Sequence, residues 1–176
     1  MTMASEGASD TIRSEFVTGL RNAHALEKQA RQLIERQLER LESYPEVAQA
    51  LRSHLQETNQ QEERIDQLLA RFDESRSVIK DAAMQFTANL GAMMHATADD
   101  EILKNTFANL AFENFEIASY KSLIAMAKAG GFTQEAQVLE QSLREEQQMA
   151  SWIDQNVATV TTKYLQLKAS GSRADR

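Results

Sequence analysis

Four long stretches of this chain repeat apolar residues in alternating steps of three and four, the spacing of one face of a helix. In the first, Phe16, Leu20, Ala23, Ala30, Ile34 and Leu41 form a seam that predicts a helix over residues 10–43, with Asp10 as its cap. The second seam reads Val47, Leu51, His54, Thr58, Gln61, Ile65, Leu68 and Phe72, and predicts a helix over 45–72 that is apolar at both ends and polar in the middle. Pro45 ends the first helix and suits the first turn of the second. A third long seam runs through Leu103, Thr106, Leu110, Ile117, Tyr120, Ile124 and Ala127, giving a helix over 101–129. Asp99 or Asp100 offers its cap, and Gly130 and Gly131 its left-handed stop. The last seam, Leu139, Leu143, Ala150, Ile153, Val157, Val160 and Tyr164, gives a helix over 133–167 capped by Thr133.

A shorter pattern, Ile79, Phe86, Leu90 and Met93, predicts an additional helix over 75–94. The brief break at Ser43–Tyr44 makes the first two long helices antiparallel neighbours, and a bundle whose second and third long helices run parallel needs a long crossover. The additional helix fits that connection. The expected fold is therefore all-α: a four-helix bundle over 11–167 with a long crossover containing an additional short helix. Residues 1–10 are expected to be a disordered tail, and 168–176 a frayed one.

Each long seam is interrupted near its middle by glutamate: Glu27, Glu57, Glu113 with Glu116, and Glu146. Counted along each helix at 1.5 Å per residue, these positions fall at similar heights in an antiparallel bundle. A single glutamate in a stripe is ordinarily a flank residue reaching water; four helices repeating it point to a shared interior site. Lys28, Arg31, Arg64, Lys121 and Arg144 all fall off the seams, so no basic side chain is placed to neutralise them. Buried carboxylates in contact repel and pay a desolvation cost of several kcal/mol each. Two divalent ions, iron or manganese, are the expected counter-charge. His54 and His24 stand one turn before Glu57 and Glu27, on the same faces, as possible ligands or supports. Gln60, Gln61 and Tyr120 are further candidates for a supporting role, whereas Glu145 is expected to point into solvent and His95 to sit in a loop.

Composition narrows the alternatives. One proline, six glycines and 6% aromatics suit long helices filled by aliphatic side chains. The absence of cysteine removes thiolate metal sites and disulfides. A net charge of -7 with no basic stripe argues against nucleic acid. No apolar run approaches the ~20 residues of a membrane span, and the first residues lack a secretory pattern, so a cytoplasmic protein is expected. Catalytic-triad, phosphate-loop and nucleotide-binding patterns are absent from the sequence.

The segments RNAHALEKQA, SYPEV, HLQET, SRSVIKD, FENFEIASYKSL and LREEQQMASWIDQN carry a resemblance to the YciE/YciF family of ferritin-like proteins, its YciE branch most of all. It extends over residues 13–168. The resemblance implies a ferritin-like bundle, a homodimer and a role in stress, without an established reaction. Against rubrerythrin-like di-iron proteins, Glu27, Glu57, Glu113 with Glu116, and Glu146 match ligand positions. The histidines of the usual E-x-x-H pairs are missing: Gln60 follows Glu57 and Met149 follows Glu146 at that spacing. Two functions compete on these grounds. One is a di-metal protein handling iron, oxygen or peroxide, with an oxidase-like or peroxidase-like activity weakened by the missing imidazoles. The other is a non-enzymatic stress or interaction protein on the same scaffold. Phe107, Phe112, Phe115 and Trp152, left over from the seams, suit either broad burial, with the additional helix covering them, or a subunit contact, which the resemblance favours.

Overall fold

The computed structural model describes residues 3–72 and 99–176. Over these residues it forms four helices, α1 (Met3–Arg40), α2 (Pro45–Arg71), α3 (Glu101–Ala129) and α4 (Thr133–Ala169). The additional helix expected over 75–94, and His95, lie outside the described residues.

Cross-helix contacts fix the topology. Arg31 of α1 reaches Glu62 of α2 at 3.2 Å, while Phe16, near the start of α1, packs on Phe72, just past the end of α2. These two helices are antiparallel. Arg40 meets Glu101 at 2.6 Å where α1 ends and α3 begins, so α1 and α3 are antiparallel as well. Lys128–Glu140 and Arg71–Glu135 show that α4 runs antiparallel to both α3 and α2. It follows that α2 and α3 run parallel on opposite corners. This is the ferritin-like arrangement expected from the seams.

The core of the described residues has two large apolar clusters and a small third one of Leu26, Ala30 and Phe112. Phe16, Leu20, Ile65, Leu68, Leu123 and Leu139 fill one end, where Phe16 stacks on Phe132 and Phe72 meets both rings edge to face, all at 5.2–5.5 Å between centroids. Ile34, Tyr44, Leu51, Ile102, Met149 and Ile153 fill the other. Glu27, His54, Thr58, Gln61, Glu113, Glu116, Ser142 and Glu146 are all buried between them. Full burial of each large aliphatic side chain contributes about 1.5–3 kcal/mol, so the two apolar ends hold the polar belt closed.

The helix ends depart from the sequence expectation in three places. First, α1 begins at Met3, so Asp10 lies inside the helix instead of capping it. Second, Thr133 is the first residue of α4 and Phe132 takes the cap position without a side-chain bond; its ring is anchored in the aromatic trio. Of the two glycines before it, Gly131 alone takes the left-handed conformation, φ 74°. Third, the segment after α4 is not frayed. The Ala174 carbonyl accepts a 2.6 Å hydrogen bond from Tyr44 Oη, Ile102 N donates to Asp175 O at 2.8 Å, and Ser43 N donates to Arg176 O at 3.1 Å. The tail thus supplies acceptors to backbone donors at the start of α3 and beside the start of α2, which would otherwise lack partners. Among the described residues, no helix is long and apolar enough to cross a membrane.

Candidate metal centre

Four buried residues from three helices converge in the belt: His54 of α2, Glu113 and Glu116 of α3, and Glu146 of α4. One ligand atom from each lies within 4.8 Å of all the others. Helical spacing explains the convergence. Glu113 and Glu116 are one turn apart and share a face. Glu146 belongs to the seam of Leu139 and Ile153, and His54 to that of Leu51 and Ile65. Glu116 is 1% exposed and Glu146 is wholly buried.

Few donors reach these carboxylates. His54 Nε2 stands 3.3 Å from Glu113 Oε2 and 3.6 Å from Glu146 Oε2. Both oxygens of Glu116, both of Glu146, and Oε2 of Glu113 are buried without a hydrogen-bond partner. An unsatisfied buried polar group costs about 1–3 kcal/mol, and a charged one more, so the cluster requires protons or a cation.

The fifth carboxylate completes the belt from α1. Tyr120 Oη donates a hydrogen bond to Glu27 Oε1, and Glu27 Oε2 is left buried and unpaired. Burial pushes the Glu27 carboxyl up to about 8, with the Tyr120 hydrogen bond and His54 opposing and the charge of Glu113 reinforcing the rise. Glu116 is raised well above the usual carboxylate range, first by burial and then by the charges of Glu146, Glu27 and Glu113. Glu146 is raised by burial, then by Glu27 and Glu113, against the pull of His54. Burial by itself would lower His54; the close approach of Glu113, the hydrogen bond with Glu57 and the charge of Glu146 override it and hold the imidazole well above its ordinary value. Tyr120 is raised as well, by burial and then by Glu27.

The remaining candidates separate from the cluster. Glu57 is 34% exposed and turned away from the interior; its Oε2 lies 3.2 Å from His54 Nδ1 and so orients the ring from outside. His24 is buried between α1 and α2, with Nε2 3.0 Å from Asp66 Oδ1; burial lowers it below the ordinary histidine value, against the charge of Asp66. Gln60 is exposed and accepts from Arg64 at 3.3 Å. Gln61 lies in the belt, its Nε2 donating to Glu145 Oε2 at 3.0 Å and its Oε1 buried without a partner.

One charge pairing was missed. Glu145, expected in solvent, is mostly buried against Arg64, which donates to its two oxygens at 2.6 and 2.9 Å. Burial would raise Glu145, but these bonds, with those from Gln141 and Gln61, hold it below the usual carboxylate range. The available signal was Arg64 one turn after the seam residue Gln61, on the side that faces α4.

Comparisons with known proteins agree with this architecture. Residues 11–166 match a family described as a domain of unknown function, DUF892. Protein YciF of Escherichia coli (strain K12) is 32% identical over 147 residues, covering 77% of this chain and 84% of that protein. A protein of Xanthomonas campestris pv. campestris of known structure superposes with a TM-score of 0.75 at 28% identity, over 90% of this chain and 99% of that one. The crystal structure of the E. coli stress protein YciF superposes with a TM-score of 0.68 at 25% identity, over 86% of this chain and 98% of that one.

Proposed function

Since the chain belongs to the DUF892 family and is similar to the E. coli stress protein YciF, we propose that the buried belt is a carboxylate metal centre serving a stress-related role in handling iron, oxygen or peroxide. The observation that carries this reading is the set of partnerless carboxylate oxygens of Glu113, Glu116 and Glu146, gathered with His54 within 4.8 Å. The donors fit the group: hard carboxylate oxygens with one imidazole favour iron or manganese over thiophilic ions. His54, Glu113, Glu116 and Glu146 would hold one ion; Glu27, whose free oxygen faces the same belt, would join Glu116 and Glu146 around a second. A redox-active ion bound there supplies electron exchange with a small oxidant.

The protein's own contribution is positioning. Two apolar ends exclude water, Tyr120 orients Glu27 through its hydroxyl, and Glu57 orients His54 through Nδ1. Metal analysis of protein purified without chelator, followed by anaerobic titration with ferrous iron, is expected to give two ions per chain and a new optical spectrum on exposure to air or peroxide. A protein that stays empty and colourless would refute the metal reading.

One observation favours the non-enzymatic reading. Met149, at the spacing of the missing imidazole, packs into the apolar end around Leu51 and Ile153, and Gln60 is turned outward. If metal binds and no turnover of oxygen or peroxide follows, the bundle serves as a metal-stabilised scaffold. The homodimer is likewise proposed, with the exposed rings Phe107 and Phe115 on α3 as the contact. Native mass measurement is expected to give twice the chain mass.

A further inference from the structure

The cluster is sealed from water on most sides, so an ion needs a way in. Around the bundle, the α2–α4 seam is the most loosely packed of the four adjacent pairs. It is pinned towards one side by Arg64–Glu145 at 2.6 Å and towards the other by Lys163–Glu46 at 3.2 Å. Between these pins lies an open cleft of ≈ 510 Å³, lined by Ser53, His54 and Glu57 of α2 and by Gln148, Met149 and Trp152 of α4. His54 is the one residue of the four-residue cluster that also lines this cleft. Its ring divides the two spaces: Nδ1 faces Glu57 at 3.2 Å, and Nε2 faces Glu113 and Glu146 at 3.3 and 3.6 Å.

Resting on the metal reading above, we propose that the α2–α4 cleft is the route by which a divalent cation reaches the interior, with Glu57 as the capture residue and His54 as the movable floor. Glu57 suits capture. It is 34% exposed, it faces the cleft, and its carboxylate is the outermost link of a chain that continues through His54 to Glu113 and Glu146. Among the described residues, the cleft lining contains two carboxylates, Glu46 and Glu57, and no lysine or arginine. Glu46 is engaged by Lys163, which leaves Glu57 as the acidic group next to the floor. Negative charge in a low-dielectric cleft concentrates cations and raises their arrival rate. Reorientation of the His54 ring would turn Nε2 from the carboxylates towards the cleft and open the passage. This role differs from that of a resident ligand: in Glu57→Gln the amide oxygen still accepts from His54 Nδ1 and keeps the ring oriented, so loss of the charge slows filling without lowering the number of ions held at saturating cation.

The test is stopped-flow uptake of Co(II), followed by its visible absorption, in the full chain and in three variants. Glu57→Gln removes the captured charge; Ser53→Trp, at an exposed position, plugs the cleft; Glu63→Gln removes an exposed charge elsewhere on α2. Uptake is expected to slow about tenfold in the first two, the lower end of electrostatic focusing, and to stay unchanged in the third. The final number of ions is expected to match the parent in all of them. Parent-like uptake rates in both Glu57→Gln and Ser53→Trp would overturn the route. A lower final occupancy in Glu57→Gln would make Glu57 a resident ligand and overturn its capture role. If the parent itself takes up no Co(II), the metal reading fails first and the route with it.

Discussion

Glu145 and Glu146 are consecutive on α4 and occupy opposite electrostatic regions. Glu145 turns towards α2, where Arg64 grips both of its oxygens and Gln61 and Gln141 add donors. Glu146 turns inward, where carboxylates approach it and neither oxygen finds a hydrogen-bond partner. A rotation of about 100° per residue separates the two. On the flank the protein supplies its own counter-charge; in the belt it gathers like charges and supplies one histidine. A structural carboxylate is satisfied by its own chain, whereas a ligating one is left dependent on something external. The two substitutions to glutamine are therefore expected to act with opposite sign.

The largest effect is expected on cation affinity. Glu146→Gln should weaken Mn(II) or Co(II) binding by more than the roughly 10–100-fold that supporting residues command, whereas Glu145→Gln should change it by less. Competition titration against a chelating dye measures both. Stability of the metal-free protein should move the other way. Glu146→Gln removes a carboxyl that folding forces to keep its proton and places amide donors among acceptors, a gain of about 1–3 kcal/mol near pH 8. Glu145→Gln leaves Arg64 short of its ionic partner and should cost about 1–3 kcal/mol. Urea denaturation of the chelator-treated variants decides the signs; destabilisation by Glu146→Gln would make that residue a structural member of the belt.

Much of the belt was legible because helical periodicity reports both face and height. The seams placed Glu27, Glu113, Glu116 and Glu146 inside, and the spacing from each helix start placed them at one level. What periodicity does not report is the rotation of a helix relative to its neighbour at the edge of a seam. That small angle sends Glu57 outward to the cleft while His54, three residues earlier, stays inside, and it brings Glu145 onto Arg64. The C-terminal segment was misread for a different reason. Its anchoring combines pairing of Arg173 and Arg176 with the exposed Glu42, which looks like any solvated charge in the sequence, with backbone carbonyls that accept from Tyr44, Ser43 and Ile102. Such contacts leave no pattern in side-chain polarity.

A smaller effect distinguishes the regions by pH. Glu27, Glu116 and Glu146 keep their protons to higher pH when folded than when unfolded. As pH rises from the ordinary carboxylate value of 4.5 towards about 8, the unfolded chain releases protons that the folded belt retains, and folded-state stability falls. His54 adds to the trend: its folded value is raised, so its contribution is present below the ordinary histidine value and is lost as pH climbs through the folded one. Glu145, whose folded value is lowered, contributes stability above the ordinary value that is lost in acid as pH falls through the folded one. The lowered carboxyls Glu46, Asp100, Glu140 and Glu145 act at and below the ordinary carboxylate value, so between pH 5 and pH 8 three raised carboxyls and the raised His54 are opposed by the lowered His24 alone and outweigh it. The melting midpoint of the metal-free protein should therefore drop from pH 5 to pH 8, by about 2–4 °C for each kcal/mol in a domain of this size. Saturating Mn(II) should flatten or reverse the slope, because ions bind the deprotonated ligands and competition from protons weakens as pH rises. A metal-free midpoint that rises steadily over this range would place the dominant titrating groups on the flank.

The smallest effect compares two buried tyrosines. Tyr44 Oη donates to a neutral acceptor, the Ala174 carbonyl, at the end of the bundle; Tyr120 Oη donates to Glu27 in the belt. Each hydroxyl is removed by Tyr→Phe with little change of shape, and each loss should cost about 0.5–1.5 kcal/mol. The costs should differ in their dependence on pH. The bond from Tyr120 strengthens when Glu27 ionises, since hydrogen bonds to charged acceptors are roughly twice as strong. Tyr120→Phe should therefore cost more at pH 9 than at pH 6 in the metal-free protein, with the change centred near the Glu27 value of about 8. Tyr44→Phe should cost the same at both, because no titrating group accepts its proton. Urea midpoints of the two variants at the two pH values measure this directly. Equal pH dependence for both would mean that Glu27 holds one protonation state throughout and that Tyr120 serves the belt as an ordinary core tyrosine.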